Sequence, residues 1–305
     1  MCTLVSVLSI FLMGAVGPDI AGLRVVSFVC KTRVRVNKDH AIVDESPNHA
    51  VYFVPGLYRG LRVLEILGAA DDAMSLSDIA RAMELSRSSA FRLVYTLRQM
   101  DFLKEGAQKN TYTLGARVLN LGFAYLNQQP ITSIARPHLA QLRDETGVST
   151  HLSVLEGQDV LYLGSHQARS GYVSNMVTGT RTEAYASAIG WCLLSGHSAK
   201  ELQVFFKTVD PQALTEHTPT TFDALKARVD AIATDGYIIS RGFRQPGGSS
   251  VSVPVWDNTG QVVACVNLSG PDSGFDFDRM DTFYVPKTRA TALQISREMG
   301  YTGPE

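Results

Sequence analysis

The sequence predicts an α+β chain, with a small winged helix-turn-helix in its first half and a larger domain of mixed strands and helices after it. Three observations carry that expectation. Residues 75–114 read as helix, tight turn, helix and hairpin in that order; from Val148 the apolar pattern changes from a helical period to a period of two; and 305 residues at 45% hydrophobic content supply enough apolar surface for two cores.

Taking the elements in order, Leu76, Ile79, Ala80 and Met83 recur at the i, i+3, i+4, i+7 spacing of one buried helical face, and Ser75 or Ser77 can cap its start. After Glu84-Leu85 the run Ser86-Arg87-Ser88-Ser89 opens a longer helix with Ala90, Leu93, Val94 and Leu97 as its apolar stripe. Its other face carries Arg87, Ser88, Ser89, Arg92 and Thr96. Asp101 breaks the pattern, and residues 102–105 and 111–114 then pair as short strands around a tip from Gly106 to Asn110.

Two amphipathic helices and a solvated face of serines and arginines would be ordinary taken alone. The short first helix, the turn of about three residues and the hairpin that follows reproduce a DNA-reading head in sequence order. A helix fits the major groove, and cations around it neutralise phosphates. Double-stranded DNA is therefore the expected partner, touched by Ser77, Arg87, Ser88, Ser89, Arg92 and Thr96, with Lys109 at the hairpin tip near a phosphate.

Beyond Gly115, the residues Arg117, Val118, Leu119, Leu121, Gly122 and Tyr125 continue a helical pattern that Pro130 halts, and Ile134, Leu139 and Leu142 mark another helix through Arg136 to Thr146, closing at Gly147. Then come a hairpin of residues 151–155 and 160–164 around Glu156-Gly157-Gln158, and later strands at 237–240, 249–256 and 261–268, the last two joined by Asp257-Asn258-Thr259-Gly260. Helices are expected near 187–194, 199–206, 221–234 and 279–299. Strands interleaved with helices in this way imply an α+β domain. The expected division is an extension over 1–50, a winged helix-turn-helix over 55–115, a linker helix over 116–129 and a second domain over 130–305.

A formal net charge of -1 does not advertise a nucleic-acid binder, but a whole-chain sum hides local separation, and the cations of residues 81–117 outnumber the acids there. The four cysteines, Cys2, Cys30, Cys192 and Cys265, form no CxxC pair, so neither a zinc site nor a disulfide framework is expected and a reducing cytoplasm is the simplest home. The first fifty residues are unusual. Leu4 to Val16 is nearly all apolar, and Arg24, Lys31, Arg33, Arg35 and Lys38 follow. No cation precedes the apolar run apart from the terminus, the run falls short of the roughly 18 residues of a membrane span, and export would part a DNA reader from DNA. A start near Val43 with an upstream extension before it, and a disordered or loosely packed tail, are the readings that remain.

From Tyr58 to about Met299 the chain resembles the IclR family of bacterial transcription regulators. Tyr58-Arg59-Gly60-Leu61-Arg62-Val63-Leu64 looks like that family's first helix, Leu76-Ser77-Asp78-Ile79-Ala80 its second, residues 88–97 its recognition helix, and Tyr112-Thr113-Leu114-Gly115 the close of its wing. Ala135-Arg136-Pro137 with Leu139, the Gly190 segment, Asp235-Gly236-Tyr237 and Val253-Pro254-Val255 follow in the family's order. The resemblance implies a GAF-like effector domain with an antiparallel sheet and a small-molecule cavity on one side, and a linker helix that relays its geometry to two reading heads.

Three segments would line that cavity. The first runs from Glu183 to Trp191 and includes Tyr185, Ser187, Ala188, Ile189, Gly190 and Trp191, where a helix N-terminus suits a carboxylate. The second holds Arg241, Phe243, Arg244 and Ser250, and the third Asn267 and Ser269 on alternate positions. The family commonly has Pro-Leu-His-Ala-Thr-Ala-x-Gly-Lys in the first segment and a glutamate and a cysteine in the second. Phe243 in place of an acid and Trp191 in place of a lysine make the expected rim aromatic and point to a larger or aromatic acid, with Arg241 or Arg244 clamping its carboxylate.

Enzymatic chemistry finds little support. The seven histidines lack HxH or HExxH spacing, no GxxxxGK[ST] or GxSxG occurs, and Gly247-Gly248-Ser249-Ser250 precedes a strand rather than a helix. No cofactor is expected. A sensor acting through protein partners alone would need a reading head without its arginines. The expected function is a homodimeric or tetrameric, ligand-responsive regulator of a catabolic operon, with paired recognition helices in successive major grooves and no membrane partner.

Overall fold

The computed structural model describes residues 49–169, 176–244 and 246–304. All of the expected extension before residue 49, with the apolar run within it, lies outside the described residues. Among those described, no helix is long and apolar enough to cross a membrane.

The first part opens with α1 (His49–Tyr52) and α2 (Pro55–Ala69), continues through β1 (Met74–Ser75), α3 (Leu76–Ala82) and α4 (Arg87–Gln99), and ends in β2 (Leu103–Glu105) and β3 (Thr111–Leu114). Of the two candidate caps for α3, Ser75 takes the position, its hydroxyl accepting the Asp78 N–H at 3.2 Å. Ser86 does the same for α4, accepting the Ser89 N–H at 3.2 Å. Between the two helices Glu84 adopts a left-handed backbone, φ 52°, which turns the chain in the space of a few residues. Val63 and Leu67 of α2, Ile79 of α3, and Val94 and Leu97 of α4 pack with Leu103 and Tyr112 of the hairpin into one core. The sheet has three strands in the order β1-β3-β2, where sequence periodicity showed two; β1 pairs Met74 with Tyr112 and is too short to carry a period.

Helix α5 (Arg117–Asn127) follows, and α6 (Pro130–Thr146) starts almost at once. Pro130 both stops α5 and occupies the first turn of α6, where its missing N–H has no partner to lose. Gly147, φ 72°, ends α6 in the left-handed conformation that a residue without Cβ adopts freely.

The second part is built on six antiparallel strands, β4 (Ser149–Glu156), β5 (Asp159–His166), β6 (Arg181–Glu183), β7 (Ile238–Arg241), β8 (Gly248–Trp256) and β9 (Val262–Pro271), in the order β6-β5-β4-β9-β8-β7. Against one face lie α6 and α10 (Val285–Glu298), burying Leu139, Leu152, Leu163, Val251, Val253, Val266, Leu268 and Ile295. Against the other lie α7 (Ala188–Leu194), α8 (Ala199–Thr208) and α9 (Phe222–Asp235), with Trp191, Leu194, Leu225 and Ile232 at the centre of a second core. A Cβ on Gly190 would collide with the Ala184 backbone, so α7 can cross the 184–186 turn this closely only with glycine there. The last helix, expected as one element from Arg279, begins instead with a 3-10 turn at Phe277–Arg279 and a π turn at Met280–Tyr284.

Candidate functional site

Helix α4 presents its polar face to solvent because Ala90, Val94 and Leu97 hold the opposite side in the core. Ser77, Arg87, Ser88, Ser89, Arg92, Thr96 and Lys109 are all exposed. They differ in what their polar atoms already do. The Ser86 hydroxyl lies 2.9 Å from Ser89 Oγ and 3.1 Å from Ser88 Oγ, and Thr96 donates its hydroxyl to the Arg92 carbonyl at 2.9 Å. Arg98 pairs with Glu105 at 2.9 Å and covers the Tyr112 ring, which ties the helix to the wing. Arg87 and Arg92, by contrast, have no ion pair among the described residues. Two exposed guanidinium groups on one helix, neither in an ion pair among the described residues, suit phosphate oxygens or guanine edges.

The sheet face under α7 and α9 carries the second candidate site. Alternation along β4 turns Ser149, His151 and Ser153 to this face and Leu152 to the other core. On β9 it turns Cys265, Asn267 and Ser269 the same way, paired with Ser153, His151 and Ser149. Ser250 and Ser252 of β8 and Thr182 of β6 join them through Ser269, Asn267 and Val160. The face is buried yet polar. Among the described residues, four of its side-chain atoms, both ring nitrogens of His151, Ser153 Oγ and Asn267 Oδ1, have no hydrogen-bond partner.

Buried polar atoms without partners cost about 1–3 kcal/mol each, so their concentration on one face marks a place built to receive hydrogen bonds. Asn267 donates its amide to Ser252 Oγ at 2.9 Å and to the Val251 carbonyl at 3.2 Å, which leaves Oδ1 as an acceptor only. Burial, and then the charge of His166, lowers His151 to about 3, so its imidazole is neutral and offers one donor and one acceptor. Burial likewise holds the Tyr162 phenol above its ordinary range, and the charge that acts on it most in the opposite sense is Arg244. Arg244 bonds to Glu183 at 3.3 Å and is half-buried. The arrangement suits a molecule with a proton donor at one end, for Asn267 Oδ1, and an anionic group at the other, for Arg244.

The residues expected from the sequence divide accordingly. Asn267 and Ser250 stand on this face, with Ser250 bonded to Ser240 at 2.7 Å, and half-buried Ser269 shares it. Phe243 lies between Trp191, 5.5 Å away, and His217, 5.2 Å away. Trp191 is not a rim residue: it is fully buried, and its indole N–H donates to the Tyr185 carbonyl at 2.6 Å. The Tyr185 hydroxyl accepts the Gln212 N–H at 3.0 Å, Ser187 caps α7 by accepting the Gly190 N–H at 3.2 Å, and Ala188, Ile189 and Gly190 are buried with it. Arg241 is a correction. Strand alternation puts it on the opposite face, where it pairs with Asp272 at 3.0 Å and lies 4.2 Å over Phe277. His151, Ser153 and Thr182 were missed, although the alternation of Ser149, His151 and Ser153 with Thr150, Leu152 and Val154 was a visible signal.

Residues 56–106 match a family model described as the IclR helix-turn-helix domain, and residues 123–297 match one described as the C-terminal part of the bacterial transcriptional regulator IclR. The chain is 28% identical over 252 residues to the Pca regulon regulatory protein of Pseudomonas putida, covering 81% of this chain and 84% of that one. A crystal structure from Rhodococcus sp. RHA1, described as that of a transcriptional regulator, is 32% identical with a TM-score of 0.73 and covers 81% of this chain and 98% of its own. The fold is also shared by an IclR homologue from Microbacterium hydrocarbonoxydans, crystallised with 4-hydroxybenzoate, at 23% identity and a TM-score of 0.68, over 80% of this chain and 98% of that one.

Proposed function

We propose, from the premise that the chain belongs to the IclR family of bacterial transcriptional regulators, that it controls a catabolic operon in the cytoplasm by releasing or engaging its operator when a small hydroxylated organic acid binds the second domain. The relatives are regulators rather than enzymes. In this reading residues 55–115 hold DNA, 116–129 link, and 130–305 sense. Ser77, Arg87, Ser88, Ser89, Arg92, Thr96 and Lys109 contact the duplex. The effector lies on the polar sheet face under α7, its hydroxyl on Asn267 Oδ1 and His151 and its carboxylate at Arg244, with Phe243 and the 185–191 segment around it. The unpartnered buried atoms on that face carry the proposal. The relative crystallised with 4-hydroxybenzoate shows that this fold takes a ligand of such chemistry in another protein.

A path from sensor to head runs through hydrogen bonds. Thr150, next to His151, donates to the Leu139 carbonyl of α6 at 2.9 Å, and Tyr125 of α5 donates to Glu156 of β4 at 3.3 Å. A ligand that prefers one setting of β4 thereby prefers one setting of α5 and of the head spacing, and only that difference in affinity can move the equilibrium. The second copy sits on α2 and α5, whose Leu57, Leu61, Leu119, Leu121 and Phe123 are more than half exposed, as is Val54 just before α2, and α5 buries none of its own residues.

The test takes the full chain, selects a preferred duplex from a randomised pool, and measures gel-shift affinity against 4-hydroxybenzoate. Asn267→Leu should keep the affinity for DNA alone within about threefold and lose the response to the compound. If no duplex is preferred, the regulator reading is lost. If the variant responds as the wild type does, the placement of the effector is lost.

A further inference from the structure

The outward face of α4 carries an apolar feature beside its cations. At about 100° per residue, Ser88, Arg92, Tyr95 and Gln99 point furthest from the buried Ala90, Val94 and Leu97. Phe91 stands on the shoulder next to Tyr95, one turn before it, with ring centroids 6.2 Å apart and planes inclined by 37°. The two rings are 50% and 51% exposed. Neither belongs to the core formed by α2, α3, α4 and the hairpin, so packing of the head gives no reason for either aromatic.

Two neighbouring exposed rings on one helix face are a contact surface in want of a partner. The charges around them identify which kind. Arg87 and Arg92 are exposed and without an ion pair among the described residues, so a second copy of the same face would bring cation against cation. A polyanion is favoured instead. The major groove of DNA offers phosphates on its rims and a single apolar group on its floor, the C5-methyl of thymine.

We propose that Phe91 and Tyr95 are specificity-determining residues that pack against thymine methyl groups in each operator half-site, while Arg87 and Arg92 hold phosphates or guanine beside them. This rests on the DNA-binding reading of α4. The rings supply preference for T over C or U at one or two positions, and the guanidinium groups supply register and most of the salt-dependent affinity. A base reader built only from the arginines and serines of this helix would be indifferent to the methyl.

The experiment begins with the duplex that the full-length protein selects from a randomised pool. Each thymine in it is replaced singly by deoxyuridine, which deletes only the methyl group. Wild-type affinity should fall about fourfold at one or two positions in each half-site, the worth of one buried methyl-sized group. In Phe91→Ala/Tyr95→Ala that discrimination should vanish while the slope of affinity against salt stays the same, since no charge is removed. Phe91→Ala/Tyr95→Gln, which keeps a polar side chain on the outward face, should behave alike. Equal affinity for thymine and deoxyuridine duplexes at every position would overturn the proposal, as would full discrimination in either double variant. A change in sedimentation of the variants with the methyl preference intact would assign the rings to a protein contact instead and overturn it too. A pool that yields no preferred sequence would remove this proposal together with the reading beneath it, whereas a preferred sequence indifferent to its methyls would remove this one alone.

Discussion

His151 shows how burial sets the chemistry of a single residue. In the folded chain its imidazole stays neutral down to about pH 3, while in the unfolded chain it takes up a proton near 6.5. Between those values the unfolded state binds the extra proton. The stability tied to this neutral histidine is therefore fully present above about pH 6.5 and is lost as pH falls toward 3, at up to ~1.4 kcal/mol per pH unit. His151→Gln removes the titration, so the wild type should lose stability relative to the variant as pH drops from 7 to 5. Urea unfolding of both proteins across that range reads the difference directly, and parallel curves would mean that the histidine is not held neutral. At this scale the sequence was only partly legible. Period-two alternation could have placed His151 and Ser153 on one face, but nothing in the chain announces that Asn267 Oδ1 lacks a donor, because that depends on where Ser252 and the Val251 carbonyl fall across two strands.

Among the elements, α4 is the most legible in the sequence. Its cap at Ser86, its stripe of Ala90, Val94 and Leu97 and its exposed cations follow from helical periodicity and capping chemistry, which are local properties. An exposed Arg92 without an ion pair neutralises a phosphate if α4 lies in the groove. Arg92→Ala should then weaken binding to the selected duplex and reduce the slope of log affinity against log salt by about 0.9. Fluorescence anisotropy at four salt concentrations reads both, and an unchanged slope would take Arg92 away from the phosphates. The elements that were missed, β1 and β6, have two and three residues. A period needs more length than that to show, and both strands exist only because a longer neighbour, β3 or β5, supplies the ladder. The π turn before α10 was hidden for a similar reason, since Met280 and Tyr284 keep an apolar spacing close to that of an ordinary helix.

At the scale of the whole molecule, α2 and α5 carry an apolar surface that the other described residues leave exposed. Leu119 and Phe123 are one turn apart on α5 and both more than half exposed. A second copy covering α5 and the Leu57 and Leu61 side of α2 would set the separation of two reading heads, as a two-fold operator requires. Leu119→Glu/Phe123→Glu should shift the protein toward monomer in analytical ultracentrifugation and lower operator affinity at least tenfold, because each head would then bind without its neighbour. Variants that still sediment as the wild type would show that the second copy binds elsewhere.

The sequence by itself determined the order of the longer elements and the exposed cations of α4, since these depend on spacing along one chain and on short-range capping and turn chemistry. Only the tertiary structure decided that Trp191 is core and not rim, that His151, Ser153, Thr182 and Asn267 share one buried sheet face, and that Arg241 belongs to the opposite one. The reason is physical: burial, desolvation and hydrogen-bond satisfaction are set by what the far end of the chain brings alongside, and the register between β4, β9 and β8 is where that is decided.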